Sequence, residues 1–423
     1  MIPHKYSPES LMMSHGYSPE WSEGAIKCPI FQTSTFVFKS AEEGKAFFEV
    51  AYGIREKEEK EELGLIYSRI NNPDLEILEN RLCLWDEAED CAVFESGMSA
   101  ISTVFLEFLK PGDVLLYSNP VYGGTDHFIK EILDKFGIET IGFYPNDSKE
   151  DIINTIEESG KADRLAMVYL ESPANPTNDL IDIKMCSEIA QKYSTNEKQT
   201  LVAVDNTYMG PLWQHPLQHG ADLVVYSATK YIGGHSDVIA GACLGSKELI
   251  SRMKTMRTFM GNMAGPWTGW LLMRSLETLK VRMDKQAQNA AEVARFLNNH
   301  VNINKVHYLG FLEGEKRAVF AKQCEAAGAM LSFEIKGGEK EAFKFINNLK
   351  LVKLAVSLGS TESLIQHPAT MTHAGVSAEE KEKLGISPSL IRLSVGVENI
   401  QDLIHDIERS LKETTIEEKI ANY

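Results

Sequence analysis

"ADLVVYSATKYIGGHSDVIAG", residues 221–241, is the stretch from which we predict the fold. It opens with a short, almost wholly apolar run, which is typical of a strand buried on both faces of a sheet. A turn of small residues follows and contains a single lysine, Lys230. Taken alone, Lys230 is a helix-start or snorkelling surface lysine. Its place between hydroxyl residues and a glycine pair instead indicates a specific role for its amine.

Three apolar runs of the same kind precede this segment. They are "DVLLYS" (113–118), "LAMVYLE" (165–171) and "TLVAVDN" (200–206), and amphipathic or mixed stretches separate them. Short apolar strands that alternate with helices are typical of parallel sheets. The sequence therefore predicts an α/β fold with a mostly parallel sheet that is covered by helices on both faces.

The pattern changes after residue 262. A long helical pattern runs from Trp270 to His300, and strand-like runs at 328–337 and 390–396 flank a helical "EAFKFINNL". This mixture predicts a smaller C-terminal α+β domain.

We divide the chain into an extended N-terminal arm (1–62), a large domain (63–262) and a small domain (263–423). The arm carries few periodic signals, and we expect it to pack against another subunit. Its charged run, Arg55 to Glu62, predicts a solvated helix face.

The composition excludes several classes of protein. The 43 basic and 60 acidic residues give a formal net charge of -17, which repels nucleic acids and anionic lipid surfaces. No apolar run approaches the roughly 18 residues that a membrane span needs, and the first residues lack the pattern of a secretion signal. The six cysteines show no CxxC spacing, so we expect buried thiols and a cytoplasmic location.

Chemistry-bearing residues follow the predicted strands at their carboxyl ends, where parallel sheets bind ligands. Asp205 closes "LVAVD" and Lys230 follows "DLVVYSAT". "FESGMSAI" (94–101) carries a Ser-Gly turn from a strand into a helix, and the N–H groups of such a turn suit a phosphate. Individually, Asp205 is an ordinary helix N-cap and the glycine an ordinary turn residue.

Together these residues match the needs of pyridoxal phosphate (PLP). A lysine forms the Schiff base, a carboxylate keeps the pyridine nitrogen protonated, and hydroxyl or N–H donors anchor the phosphate. Ser227 and Thr229 flank the lysine and supply two hydroxyls.

The histidines predict no metal site. His215 and His219 have i,i+4 spacing, but Pro216 interrupts the segment and no acidic third ligand follows in register. We interpret both as turn or surface histidines, and His235 as a residue that holds the turn beneath Lys230.

Several motifs in one order resemble a known family. "SATKYIGGHSDVIAG" is similar to the cofactor-lysine motif of the cystathionine/methionine-metabolism family of PLP enzymes, which includes cystathionine γ-synthases, cystathionine β- and γ-lyases and methionine γ-lyases. The resemblance covers roughly residues 25–415 and extends to "YSRINNP" (67–73), "ESGMSAI", "NPVYGGT" (119–125), "ESPANPT" (171–177), "VDNTY" (204–208), "SLGSTESLIQHPATMTH" (357–373) and "IRLSVGVE" (391–398).

The resemblance implies the fold-type I PLP-dependent transferase architecture, with a mostly parallel seven-stranded sheet in the large domain. It implies that Lys230 binds the cofactor covalently and that Asp205 pairs with the ring nitrogen. The phosphate ligands that it implies are Gly97, Met98, Ser227 and Thr229 of one subunit, with Tyr67 and Arg69 of a neighbouring subunit. Sharing of a site between subunits implies an obligate dimer, commonly paired into a homotetramer.

The resemblance also assigns the substrate side of the site. Arg392 would bind the α-carboxylate of a sulfur amino acid, helped by Asn175 and Ser357. Tyr122 would stack on the pyridine ring and protonate the leaving sulfur, while Lys230 would remove the Cα proton.

The exact reaction stays open. Methionine γ-lyases carry a cysteine where Gly124 stands, whereas "TESLIQHPATMTH" resembles those enzymes. Animal-type cystathionine γ-lyases tend to have a glutamate at the position of Gln366, and the tryptophan-containing turn of enterobacterial-type cystathionine β-lyases is absent near "SLGST". We predict a carbon–sulfur lyase for cystathionine, methionine or a related amino acid. The alternatives are a γ-replacement transferase and a catalytically inactive PLP-binding protein. The presence of both Lys230 and Arg392 disfavours the inactive protein.

Overall fold

The computed structural model describes residues 6–58, 61 and 63–415. Residues 59, 60 and 62 of the predicted charged helix lie outside the described residues. The described residues of this charged run are not helical, and the preceding helix ends at Ala51. Arg55 instead donates hydrogen bonds to Glu49 at 3.3 Å and Glu61 at 2.8 Å.

Seven strands form the larger sheet. They are β1 (Asp90–Phe94), β2 (Val114–Ser118), β3 (Glu139–Phe143), β4 (Leu165–Glu171), β5 (Leu201–Asp205), β6 (Leu223–Tyr226) and β7 (Gly241–Gly245). Their order is β1-β7-β6-β5-β4-β2-β3. The strand β7 runs opposite to the other six, which all run in one direction. This confirms the predicted mostly parallel seven-stranded sheet.

The strand β7 is not evident from the sequence. Its letters, "GACLG", include no β-branched residue and two glycines, so they do not resemble a strand. The structure explains Gly241, since a Cβ there would lie 2.1 Å from the carbonyl oxygen of Ser96. The start of β7 therefore lies directly against the turn at Ser96 that begins the helix Gly97–Phe108, and only glycine fits there.

The helices cover the sheets, and several of them begin at a side chain that accepts a hydrogen bond from the backbone of the first turn. They are α1 (Pro8–Leu11), α2 (Ala41–Ala51), α3 (Pro73–Asp86), α4 (Gly97–Phe108), α5 (Gly123–His127), α6 (Lys149–Glu158), α7 (Ile183–Tyr193), α8 (Gly210–Trp213), α9 (Lys247–Met260), α10 (Pro266–Leu276), α11 (Leu279–Asn298), α12 (Gly314–Gln323), α13 (Glu339–Asn348), α14 (Ala378–Lys383) and α15 (Ile400–Thr415). The Ser96 side chain caps α4 and the Asp182 side chain caps α7, each by accepting a backbone N–H. None of the helices in the described part is long and apolar enough to cross a membrane.

Five strands form a second, smaller sheet. They are β8 (Ile303–His307), β9 (Met330–Ile335), β10 (Lys353–Leu354), β11 (Leu364–Gln366) and β12 (Leu390–Ser394), in the order β10-β11-β12-β9-β8. This sheet is antiparallel except for the β10/β11 pair. With α11, α13 and α15 packed against one another or against it, it forms the predicted α+β unit.

The helical pattern that we predicted from Trp270 to His300 is two helices in the structure. The chain leaves the helix at Glu277 and Thr278, between α10 and α11. The helix α10 packs against α3, whereas α11 contacts β8, β9 and α15. The boundary at residue 262 stays a prediction. The helix α9, before it, packs against β1 and β7 of the large sheet, and α10, after it, packs against α3 of the large domain.

Candidate active site

A cavity of about 240 Å³ lies at the carboxyl ends of β4, β5 and β6. Parallel strands of one sheet end at the same edge, so their last residues converge there. The lining residues are Ser96, Gly97, Met98, Ile101, Tyr122, Glu171, Asn175, Asp205, Thr207, Tyr208, Ser227, Thr229, Lys230, Ile239, Val356, Leu358, Thr372 and Arg392. The cavity therefore collects nine of the predicted site residues from six separate motifs.

Lys230 lies in the turn that follows β6. The turn is fixed by backbone bonds from Gly233 N to the Ala228 oxygen (2.7 Å) and from Gly234 N to the Lys230 oxygen (2.6 Å). The Lys230 amine donates to Ser357 Oγ at 3.0 Å. Burial, and next the positive charge of Arg392, lower the pKa of Lys230 from 10.5 to about 8, while the negative charge of Asp205 opposes the shift.

Asp205 ends β5 and is buried. Its carboxylate accepts the Thr207 N–H at 3.0 Å and the Tyr169 hydroxyl at 3.4 Å. The bond from Thr207 closes a local turn and is not the helix cap that the residue type suggested, because α8 begins only at Gly210 and has no side-chain cap. The same carboxylate faces the cavity. Burial raises the pKa of Asp205, while these hydrogen bonds oppose the rise.

Glu171 is a site residue that the sequence analysis did not identify. It ends β4 and is paired in register with Asp205. Its two carboxyl oxygens accept the N–H groups of Tyr122 at 2.6 Å and Asn175 at 3.1 Å. Burial, and next the charge of Asp205, raises the pKa of Glu171 to about 8. Its position as the last letter of an apolar run, like that of Asp205 in β5, was the available signal.

The first turn of α4 forms a concave, positively polarised cradle. Gly97 and Met98 lie in that first turn, where backbone N–H groups have no partner within the helix. A Cβ at Gly97 would lie 2.8 Å from the Ser227 Cβ, so a side chain there would crowd the hydroxyl. Thr207 Oγ1 accepts the Ser227 N–H at 2.8 Å and sets the orientation of this backbone. Donors, a lysine and a carboxylate are thus arranged as the phosphate, aldehyde and ring nitrogen of PLP require.

The Thr229 side chain is held by two hydrogen bonds to the backbone of Ala240. Its hydroxyl donates to the Ala240 oxygen at 3.2 Å and accepts the Ala240 N–H at 3.1 Å. These two bonds fasten the lysine turn to the segment that leads into β7. Thr229 nevertheless lines the cavity, and its role as a phosphate ligand stays a prediction.

Arg392 reaches the cavity from β12 of the second sheet and is 3% exposed. It donates to Asn175 Oδ1 at 3.1 Å and to the Ser357 carbonyl oxygen at 2.9 Å. Tyr208 donates its hydroxyl to the same Asn175 oxygen at 2.9 Å. The three residues predicted for the substrate carboxylate, Arg392, Asn175 and Ser357, therefore form one bonded group.

Tyr122 lies at the rim of the cavity, whereas Tyr67 and Arg69 lie outside it. Tyr122 is 47% exposed, and a Cβ at Gly124 would lie 2.7 Å from its ring. Arg69 stacks on the Tyr67 ring at 5.7 Å and donates to the Thr258 oxygen at 2.6 Å. Their assignment to the site of a neighbouring subunit stays a prediction.

The three histidines weighed from the sequence lie apart from the cavity lining. His215 Nε2 is 3.4 Å from the Glu325 carboxylate. His235 Nδ1 is 2.7 Å from the Gly233 oxygen and 3.2 Å from Ser275 Oγ, within the turn that follows Lys230.

Comparison with known proteins identifies the family of this chain. The family described as Cys/Met metabolism PLP-dependent enzyme matches residues 9–412. L-methionine gamma-lyase of Fusobacterium nucleatum subsp. polymorphum is 41% identical over 391 residues, which cover 92% of this chain and 94% of that protein. Cystathionine beta-lyase MetC of Bacillus subtilis is 37% identical over 415 residues, 98% of each chain. The crystal structure of cystathionine gamma-lyase from Lactobacillus plantarum, complexed with L-serine, has a TM-score of 0.84 at 31% identity and covers 97% of this chain and 99% of that one.

The match spans nearly the whole chain and includes both sheets and the cavity between them. The predicted family, the α/β architecture, the PLP cofactor and the lyase class of enzyme are confirmed. The chain belongs to the Cys/Met metabolism family of PLP-dependent enzymes.

Proposed function

We propose that this PLP-dependent carbon–sulfur lyase eliminates thiol from methionine, or from an amino acid with a similarly small and uncharged thioether, by breaking the Cγ–S bond. The carrying observation is that three apolar side chains, Ile239, Val356 and Leu358, line the cavity; Leu358 is buried, whereas Ile239 and Val356 are 68% and 60% exposed. A thioether that ends in a methyl group is complementary to these side chains, whereas a second charged amino-acid group would find no charged partner among them. The 41% identity with the Fusobacterium enzyme named L-methionine gamma-lyase supports the same choice.

A second candidate is cleavage of cystathionine. Gly124 packs against the Tyr122 ring so closely that a side chain would displace the ring. Methionine γ-lyases, by the resemblance described above, carry a cysteine there. The B. subtilis protein named cystathionine beta-lyase MetC supports this candidate. A γ-replacement reaction has weaker support, since no feature of the cavity favours it.

The substrate would bind through its carboxylate to Arg392. Among the described residues, the buried guanidinium donates to uncharged oxygens of Asn175 and Ser357, so a carboxylate in the cavity would be its counter-ion. The Lys230 amine lies beside this group, because Ser357 accepts from Lys230 through Oγ and from Arg392 through its carbonyl oxygen. A substrate held at Arg392 would therefore present its Cα close to the amine.

PLP would be held by Lys230, Asp205 and the first turn of α4, and when bound it stabilises negative charge at the substrate Cα. Lys230 would accept the Cα proton with its neutral amine, and its lowered pKa leaves a useful fraction neutral near pH 7. Breaking a Cγ–S bond requires the removal of a second proton, from Cβ, which the same amine would accept after it has released the first. Tyr122, at the rim of the cavity, would donate its phenol proton to the leaving sulfur.

We also propose that the enzyme is a dimer with shared active sites, paired into a homotetramer. The described part of the arm and the neighbouring α9 expose large apolar side chains, among them Ile26 (81%), Val37 (92%) and Phe259 (80%). Exposed apolar surface of this extent is typical of subunit interfaces. Arg69, which bonds to the residue next to Phe259, would enter the neighbouring cavity from this surface and bind the phosphate with Tyr67.

A cytoplasmic location fits the six cysteines, all of which are free thiols. We also propose that the chain divides into domains at residues 62 and 262, with the second sheet as the core of the small domain.

Product analysis tests the reaction. The PLP-loaded enzyme is incubated separately with methionine, with cystathionine, and with O-acetylhomoserine plus cysteine. We expect methanethiol and 2-oxobutyrate from methionine at the highest kcat/KM. Homocysteine with pyruvate from cystathionine at a higher kcat/KM would replace the proposal by a β-lyase, and newly formed cystathionine would replace it by a synthase.

A further inference from the structure

Two loops of the large domain carry groups that act on opposite ends of the substrate. Tyr122, the proposed proton donor for the leaving sulfur, lies directly before α5. Asn175 lies in the loop after β4, and its amide oxygen accepts from Arg392 at 3.1 Å. One substrate molecule must meet both groups at once, so the two loops need a fixed distance from each other.

The side chain of Glu171 joins these two loops. It is 5% exposed, and its Oε2 accepts the Tyr122 N–H at 2.6 Å while its Oε1 accepts the Asn175 N–H at 3.1 Å. The N–H of Glu171 donates to Ser118 Oγ at 3.0 Å, at the end of β2 where the Tyr122 loop begins. The Tyr122 loop is therefore fastened to Glu171 at both of its ends.

The choice of a carboxylate at this position is informative. Among the described residues, no basic side chain lies within ion-pair distance of Glu171, and Arg392 acts on it only as a more distant charge. A buried carboxylate without an ion pair is costly. However, an ionised carboxylate is the side chain that offers two acceptor oxygens and no donor, so it can hold two N–H groups from separate loops. An amide of the same length can hold only one.

We propose that Glu171 is a positioning residue that ties the Tyr122 loop to the Asn175 loop, and so holds the proton donor at a fixed place relative to the carboxylate-binding group. This inference rests on the proposed roles of Tyr122 and Arg392. Protonation of the sulfur and affinity for the substrate depend on Glu171, whereas removal of the Cα proton by Lys230 does not.

The test compares two reactions of the PLP-loaded enzyme. Norleucine has the carboxylate and Cα proton of methionine but no leaving sulfur, so exchange of its Cα proton in D2O reports the Lys230 step. Thiol release is followed with the sulfur amino acid that product analysis selects, which is methionine by our proposal. Both assays are run at pH 9, where Glu171 is mostly ionised, because burial and next the charge of Asp205 raise its pKa to about 8.

Glu171→Leu removes both acceptors. It should lower kcat for thiol release at least about tenfold, a part of what a general acid contributes. It should also raise the norleucine concentration for half-maximal exchange about tenfold, while the maximal exchange rate changes less than about threefold. Thiol release and norleucine affinity that both stay unchanged would overturn the proposal, as would an equal loss of maximal exchange and thiol release.

Glu171→Gln is the milder variant and keeps one acceptor. It should change either thiol release or norleucine affinity several-fold, and if Glu171→Leu does not fold, no change in either quantity overturns the proposal. Asp222→Asn is the matched control, because the Asp222 carboxylate also accepts on both oxygens, from Val202 N–H at 2.7 Å and from Gln199 Nε2 at 3.0 Å. It lies at the opposite ends of the parallel strands, so both reactions should be unaffected.

Tyr122→Phe distinguishes the proposal for Glu171 from the proposed mechanism. If Tyr122→Phe releases thiol slowly while Glu171→Leu releases it at the normal rate, the role of Glu171 is wrong and that of Tyr122 stands. If Tyr122→Phe releases thiol at the normal rate, Tyr122 is not the proton donor and both are wrong. Which bond breaks is decided separately by the products.

Discussion

The lowered pKa of Lys230 gives the most quantitative prediction. Burial and Arg392 lower this pKa from 10.5 to about 8. At pH 7 the neutral fraction of an amine with a pKa of 8 is about one in ten, against about one in 3,000 at 10.5. Only the neutral amine is a nucleophile, and its fraction in Lys230 is about 300 times that of an ordinary lysine at pH 7, so Lys230 in the cofactor-free enzyme should react faster at this pH than an equally accessible ordinary lysine.

Competitive labelling measures this pKa directly. The cofactor-free enzyme is treated with a trace of acetic anhydride between pH 6 and 11, and the labelled peptides are quantified by mass spectrometry. Labelling of Lys230 should rise with pH through a midpoint near pH 8 and level off above about pH 9. Lys254 is a matched internal control, because it is also largely buried. Burial lowers its pKa, but Glu79 and Asp90 raise the pKa more, so its labelling should still rise above pH 10.

Two variants set the direction of the change. Arg392→Gln removes a positive charge and should move the labelling midpoint of Lys230 to higher pH. Asp205→Asn removes a negative charge and should move it to lower pH. A Lys230 midpoint near 10.5 in the unmodified protein, or shifts of the opposite sign in the variants, would refute the electrostatic account of the site.

Three further predictions concern the cavity and the subunit interface. Glu171→Gln replaces a carboxyl that accepts two backbone N–H groups by an amide that can accept with only one oxygen, so one buried N–H loses its partner. The free energy of unfolding should fall by about 1–3 kcal/mol in urea titration, and an unchanged midpoint would contradict these contacts. Gly97→Ala places a Cβ against Ser227 and should weaken PLP at least about tenfold in an absorbance titration of the cofactor-free enzyme. Gly64→Ala, where the added Cβ meets nothing within 4 Å, is the control, and equal PLP affinity in the two variants would contradict the cradle. Arg69→Gln should also weaken PLP, and mixing it with Lys230→Ala protein should restore one intact site per mixed dimer. Absence of any recovered activity on mixing would show that each site is built from a single chain.

Much of the site could be predicted from the sequence because its residues occupy the ends of apolar strands. Asp205 ends β5 and Lys230 lies in the turn after β6, and the parallel pairing of those strands brings them together. Glu171 obeys the same rule at the end of β4, but its partners are backbone groups of distant loops, which no spacing reveals.

The contributions of the second sheet were harder to predict. Arg392 and Gln366 lie on β12 and β11, far from the lysine motif in the sequence, and only the antiparallel pairing of these strands shows their contact. The strand β7 was missed because two glycines and no β-branched residue give no strand signal, although backbone crowding requires Gly241. The break between α10 and α11 was missed because helix-forming residues continue through it.

The central claim is that Lys230, in this cavity, carries out elimination of thiol from a sulfur amino acid. The most direct measurement is thiol release from methionine by the PLP-loaded enzyme and by its Lys230→Ala variant, with equal PLP content verified in both. We predict stoichiometric methanethiol and 2-oxobutyrate from the unmodified enzyme, and a rate reduced by at least about 100-fold in the variant, the least that loss of a general base costs. Thiol release at a similar rate in both proteins would contradict the account.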